Sequence, residues 1–219
     1  MGMFSQYKGF TKETSFRISV DSKLLGVSED LNLECRAAGP WLLSFDEWLE
    51  QMKNSREINR EMYFSRFPAS LESLSKYLSD GPLGNQNQIL FLVIDKVGNL
   101  HGHIGLKLDP EGNVEVDNVL RTSSILPGIM KIALNEIIHW GNRNLGFRQY
   151  SLKVISTNIR AIQLYEDLGF TLREKKHLKI TSLPNGLASL IPASKGESNT
   201  REEMFIMEKV FDGIVIEVD

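Results

Sequence analysis

Glu115 and Asp117 stand two residues apart in VEVDNVL (114–120), and side chains two apart on a strand share a face. Two carboxylates side by side disfavour each other's ionisation, so one is raised toward neutrality, where it can accept a proton near pH 7. The same alternation also fits a solvated strand face beside the turn DPEGN (109–113). A second feature needs no side chain. LPGIMKIALNEIIHW (126–140) reads as a helix whose first turn offers the N–H groups of Gly128, Ile129 and Met130 to an anion. Ser123 and Ser124 can add hydroxyl donors, although an ordinary capped helix start uses the same residues. His101 and His103 at i, i+2 could share a metal or serve as a weaker alternative base, but no third ligand is evident nearby, and no metal is expected. Cys35, the single cysteine, has no nucleophile pattern around it and reads as a buried structural thiol. Arg173, Lys175, Lys176 and Lys179 suit either an anionic ligand or a solvated face.

The elements that position these groups follow from periodicity and capping. Residues up to Thr14 are mixed and expected to be loosely held, and Ser15 to Val20 alternates as a first strand. Asp21 to Leu43 has no clear assignment beyond a candidate strand at Leu31 to Cys35. Ser44 and Glu47 have the spacing of a capping box ahead of a helix bearing Phe45, Trp48, Leu49 and Met52 on one face. The segment after that helix ends at Pro68. Ser70 caps a short helix with Leu71, Leu74 and Leu78 inward, closed at Gly81-Pro82. Ile89–Ile94, Leu100–Leu108 and Val114–Leu120, joined by DKVGN and DPEGN, form an antiparallel meander. The long helix then starts at Leu126 or Pro127 and stops at Gly141. A strand over Arg148 to Ile155 leads to a short helix capped among Ser156, Thr157 and Asn158 and stopped by Gly169. An extended run from Phe170 to about Thr181, a loop through Asn199 and a strand at Glu203 to Val210 complete the chain.

The stretch VISTNIRAIQLYEDLGF (154–170) contains N-x-x-A-x-x-L-Y-E-x-x-G-F, with Asn158, Ala161, Leu164, Tyr165, Gly169 and Phe170 in place. This resembles the second signature of the GNAT superfamily of acyl-CoA-dependent N-acyltransferases, and the order of elements from Ser44 to Lys209 resembles its fold. The resemblance implies an α+β fold with a central mixed, mostly antiparallel sheet flanked by helices. It implies acetyl-CoA as co-substrate and a primary amine as acceptor: a small molecule, an amino-sugar nucleotide or a protein N-terminus. The amine would attack the thioester directly within a ternary complex. The acceptor would sit between the two N-terminal helices, the strand bearing Glu115 and Asp117, and the closing hairpin. Tyr165 would protonate the departing thiolate, and Glu115 or Asp117 would act as base, directly or through water. Leu120, Leu126, Gly128, Ile129, Met130, Asn158 and Ala161 would hold the CoA. The family's phosphate loop, R/Q-x-x-G-x-G/A, is matched here only at Gly128. Ile125 replaces the arginine or glutamine, and Met130 replaces the second small residue.

The 219 residues, with 42% hydrophobic and 24% charged content, suit one soluble domain. Residues 1–43 are expected as a strand and extension continuous with a GNAT-like domain over 44–219. A net charge of −3 argues against a nucleic-acid surface. Neither a membrane span nor a secretory leader is read from the sequence. One cysteine suits a reducing compartment, so a cytoplasmic protein is expected, with a homodimer possible. The degenerate loop keeps open a second reading, a CoA-binding or scaffold protein without turnover. A nucleic-acid-binding module has only the basic run after Phe170 for support.

Overall fold

The computed structural model describes residues 2–21, 33–66, 70–109, 111–123, 126–183 and 187–211. Its strands are β1 (Arg17–Val20), β2 (Leu33–Ala37), β3 (Ser65–Arg66), β4 (Gln88–Asp95), β5 (Leu100–Leu108), β6 (Val114–Arg121), β7 (Gln149–Ile155), β8 (Thr171–Leu183), β9 (Leu187–Pro192) and β10 (Glu203–Val210). Its α-helices are α1 (Asp46–Ile58), α2 (Leu71–Leu78), α3 (Ile129–Leu145) and α4 (Ile159–Asp167). The strands form one sheet in the order β1-β2-β4-β5-β6-β7-β10-β8-β9-β3. Every pairing is antiparallel except β6 with β7.

The apolar run of β4 is buried on both faces. Ile89, Phe91 and Val93 join Ile129, Ala133, Ile137 and Trp140 of α3 in one cluster. Leu90, Leu92 and Ile94 join Trp48, Leu49 and Met52 of α1 and Leu74 and Leu78 of α2 in the other. Helices on both faces leave a central strand no solvated side. The two meander turns share one chemistry. Asp95 Oδ1 accepts from the Val97 and Asn99 N–H groups, and Asp109 Oδ1 from those of Glu111 and Asn113. Gly98 and Gly112 take the left-handed conformation that closes each turn, at φ 94° and 86°.

Several expectations are corrected. Ser44 ends a 3₁₀ turn, and α1 begins after Phe45 with no side-chain cap, because Phe45 stacks on Trp48 with ring centroids 4.8 Å apart. The first residues are packed: Phe4 is fully buried, and Tyr7 sets its ring edge-on to Trp140 at 5.2 Å. Helix α3 starts at Ile129, since Gly128 at φ 82° is its left-handed N-cap, so Pro127 precedes the helix. The loop expected before Asn199 contains β9, paired along β8 from Leu178↔Pro192 to Leu183↔Leu187. Pro68, Ser124, Ile125 and residues 22–32 of the unassigned Asp21–Leu43 stretch lie outside the described residues; Leu33–Ala37 is β2, which overlaps the end of the candidate strand. Among the described residues no helix is long and apolar enough to cross a membrane.

Gly141 does not stop α3, which continues to Leu145 and ends at the left-handed Gly146. Gly141 makes room for a tyrosine instead. Tyr150 of β7 donates its hydroxyl to the Ile138 carbonyl at 2.9 Å, and a Cβ at Gly141 would lie 2.3 Å from that oxygen. Replacing a mid-helix glycine by alanine ordinarily gains about 0.5–1 kcal/mol. Gly141→Ala should instead cost about 1–3 kcal/mol in urea unfolding, as overpacking does. In a Tyr150→Phe background, which removes the clashing oxygen, most of that cost should vanish. An equal cost in both backgrounds would refute the packing explanation.

Candidate active site

β7 pairs with β10 along its whole length, from Met204↔Ile155 to Val210↔Gln149. With β6 it pairs only at Val114↔Tyr150, Glu115↔Ser151 and Val116↔Leu152. Both strands continue past that contact, so they part at Asp117. Just there β6 is bulged. Its register on β5 shifts between His103 and Gly105, and Asn118 takes φ 52°. Asparagine is among the few side chains that tolerate this region.

Asp117 stands at the parting, and its charge acts on the buried Tyr165 of α4. Tyr165 is buried on α4 against Phe170, whose ring lies 6.0 Å away. Burial first, then the Asp117 carboxylate and the Tyr63 phenol, push its phenol well up. The group therefore stays protonated at neutral pH and can donate. Burial also raises the Asp117 carboxyl, with Glu115 adding to the rise and the Asn118 N–H opposing it. Asp117 accepts from the Asn118 N–H at 2.7 Å and from its Nδ2 at 3.1 Å. Glu115 is engaged differently, in an ion pair with Lys153 of β7 at 2.7 Å.

At the start of α3, Leu126, Ile129 and Met130 turn their side chains into the core, so these positions can present only backbone outward. The Ile129 N–H makes a long bond to the Leu126 carbonyl at 3.4 Å. Met130, where the family motif has a small residue, packs across β5. A Cβ at Gly102 would lie 2.6 Å from its sulfur, so Gly102 leaves the space that Met130 fills. The loop entering α3 is tied to β5 by Thr122, whose N–H reaches the His101 carbonyl at 2.9 Å and whose hydroxyl reaches that of Leu100 at 2.9 Å. Among the described residues no side chain caps α3, and no acidic residue occupies its first turn, so its positive end is not neutralised from within the helix. Asn158 caps α4, accepting from the Ala161 N–H at 3.2 Å, and Ala161 packs on the core.

A second group of residues was passed over by periodicity. A narrow cleft between α1, α2, β5 and β6 is lined by Arg56, Tyr63, Tyr77, His103, Asn118 and Leu120, over an apolar floor. Tyr77 donates to Asn118 Oδ1 at 2.5 Å, and His103 Nδ1 to the Asn118 carbonyl at 2.7 Å. A carbonyl only accepts, so Nδ1 carries the proton and Nε2 of the neutral ring is a lone pair. Burial, with Arg56 adding, pushes His103 down to about 4, against the hydrogen bond to Asn118. Arg56 reads as polar helix surface and Tyr63 lies in a segment without period. Only the polar pair at Asp117-Asn118 inside an apolar strand hinted at this group.

The remaining candidates go elsewhere. His101 contacts Asp95 at 3.1 Å, whereas His103 serves Asn118. Among the described residues no three metal-ligand side chains converge. Cys35 is buried and its thiol is pushed far up by burial, as for a structural cysteine. The basic run is a paired surface: Arg173 meets Glu208 at 3.2 Å, Lys176 meets Glu174 at 3.3 Å and Lys175 lies over the Phe205 ring.

The family model described as "Acetyltransferase (GNAT) domain" matches residues 44–182, well over half of the chain. The protein belongs to the GNAT acetyltransferase family. It is an acetyltransferase, and its mixed, mostly antiparallel sheet flanked by helices agrees with that family's fold. No curated protein matches the sequence. Among solved structures it is similar to the ribosomal L7/L12 alpha-N-protein acetyltransferase RimL, at TM-score 0.63 and 16% identity over 90% of this chain and 97% of that one. It is similar to spermidine N-acetyltransferase from Vibrio cholerae in complex with CoA and spermine, at 0.59 and 19% over 84% and 96%. A putative phosphinothricin N-acetyltransferase is similar at 0.59 and 19% over 83% and 99%. At such identities the likeness speaks to the fold of this GNAT chain.

The His103 environment predicts a pH dependence. Its folded value of about 4 lies below the ordinary 6.5, so between these the unfolded chain binds a proton that the folded chain does not. Stability is therefore lost as pH falls through this window. From pH 7 to 4.5 the loss from this group should be about 2 kcal/mol. Urea unfolding at both pH values should show a smaller fall for His103→Gln, which does not titrate; equal falls would refute the assignment.

Proposed function

We propose that this GNAT protein transfers an acetyl group from acetyl-CoA to a primary amine by direct attack within a ternary complex. The observation that carries the reading is the parting of β6 and β7 at Asp117, with Tyr165 buried on α4 and its phenol raised in part by the Asp117 charge. A proton acceptor and a proton donor then flank the gap in which a thioester can lie between strands. Relatives solved with CoA or acetyl-CoA support the donor.

In this mechanism Asp117, raised toward neutrality, takes the proton from the ammonium, directly or through water. Glu115, held by Lys153, supports that shift at one remove. The amine lone pair attacks the thioester carbonyl carbon, and the carbon–sulfur bond breaks as the tetrahedral intermediate collapses. Tyr165 gives its proton to the departing thiolate, and the second proton lost by the attacking nitrogen returns the phenolate to a phenol, leaving amide, CoA thiol and one proton on Asp117. Gly128, Ile129 and Met130 would receive the pyrophosphate through the backbone at the start of α3, with the pantetheine arm along Leu120 and beside Leu126, Asn158 and Ala161. Arg121, at the end of β6, and Arg160, in the first turn of α4, would add charge there. Their guanidinium groups lie near enough for Arg160 to add to the lowering that burial imposes on Arg121. An anionic ligand would relieve that repulsion.

Calorimetric titration with acetyl-CoA and free CoA, followed by thiol release with an amine panel, tests this reading. Binding of neither ligand would overturn it. Tyr165→Phe should retain acetyl-CoA binding and lose about 10²–10⁴-fold in kcat, the usual scale of general acid help; full turnover would remove Tyr165 from the mechanism. Gly128→Asp sets a carboxylate on a left-handed residue at the helix start and should weaken acetyl-CoA binding by about tenfold or more. Unchanged affinity would move the phosphates elsewhere.

A further inference from the structure

The acceptor cleft holds a fixed cation that the acyl-transfer chemistry does not require. Arg56 projects from α1 with its guanidinium carbon 4.4 Å from the Tyr63 ring centroid and 5.8 Å from that of Tyr77. Its Nη2 donates to the Ser65 carbonyl at 3.3 Å. Two aromatic faces and a backbone acceptor hold the plane of the group in place. A pre-oriented guanidinium suits a carboxylate better than any other common anchor, through its paired N–H donors.

Every other side chain that lines the cleft among the described residues is uncharged at neutral pH. Met52, Leu74, Leu78, Pro82, Leu90 and Leu120 are apolar, and Asn118 is a neutral amide. Tyr63 and Tyr77 are both pushed up to about 12, and His103 down to about 4. The negative group of the site, Asp117, is hydrogen-bonded to Asn118 of the cleft wall, the residue whose side-chain oxygen accepts from Tyr77. The acceptor side is thus polarised: a carboxylate at the end shared with Tyr165, and a cation in the cleft.

We propose that the acceptor is an amine whose own molecule carries a carboxylate, an amino acid or close relative, with its amino group toward Asp117 and its carboxylate on Arg56. A polyamine is the opposite case. Its further ammonium groups would enter a cleft whose charged lining residue is Arg56, and like charges brought together in a partly desolvated site discriminate strongly. This assignment rests on the acyl-transfer reading above and names its substrate class.

The test compares α-amino acids, and ω-amino acids of graded length, with the matching carboxamides and with spermidine, using acetyl-CoA and thiol release. Leucine against leucinamide isolates the carboxylate. The acids should exceed their amides by about tenfold or more in kcat/KM, with spermidine below both. Arg56→Gln should erase the preference by raising KM for the acid while leaving that for the amide little changed, and Arg56→Lys should restore part of it. Calorimetric acetyl-CoA binding by each variant separates this effect from misfolding. Preference for spermidine or for the amides overturns the assignment, as does an equal effect of Arg56→Gln on acid and amide. Turnover of no carboxylate-bearing amine by a protein that binds acetyl-CoA also overturns it and leaves the donor reading intact; failure to bind acetyl-CoA defeats the acyl-transfer reading itself.

Discussion

The contact between β6 and β7 is short, and the site depends on its being short. A parallel pair that continued beyond Val116↔Leu152 would satisfy the backbone groups of both strands and close the gap. Because β7 is held on its other side by β10, it cannot follow β6 as that strand turns away. Backbone groups left in such a gap need partners from water or a ligand. An opening inside an otherwise continuous sheet is thus at once a local cost in sheet pairing and a place for an extended ligand to complete the ladder.

The bulge at Asn118 sets where the opening begins. A non-glycine residue at positive φ persists when its surroundings over-determine it. Here His103 holds the Asn118 carbonyl, Tyr77 its side-chain oxygen, and Asp117 its N–H and side-chain nitrogen. Gly105 on the facing strand is part of the same device, because a Cβ there would lie 2.9 Å from the Asp117 carbonyl. One strained residue therefore links α2, β5 and β6 to the Asp117 carboxylate. The buried neutral histidine is used for its geometry: a protonated ring could not be accommodated so far from water beside Arg56.

The atypical loop before α3 also has a physical account. The family pattern wants small residues there so that backbone can approach phosphate. Methionine at position 130 turns inward over Gly102, leaving the outward side of the helix start as backbone, as the proposed phosphate contact requires. No acidic residue occupies the first turn of α3, and Arg121, at the end of β6, lies within reach of the Arg160 charge.

By itself the sequence determined what local chemistry decides. The Asn158 cap, the α4 face and the Gly169 stop were legible because each acts within one turn of helix, and both meander turns because Asp and Gly at those spacings close them alone. The shared face of Glu115 and Asp117 followed from strand period. Tertiary structure decided everything that needs a distant partner. β10 enters between β7 and β8, Gly141 yields to a tyrosine from the next strand, and Phe4 fills a core that its flanking residues do not announce. It also drew Glu115 to Lys153 and Asp117 toward Tyr165, and gathered Arg56, Tyr63, Tyr77 and His103 from three elements and a loop into one cleft. Period and capping are properties of neighbouring residues, whereas a pocket arises from side chains that meet only once the sheet has formed.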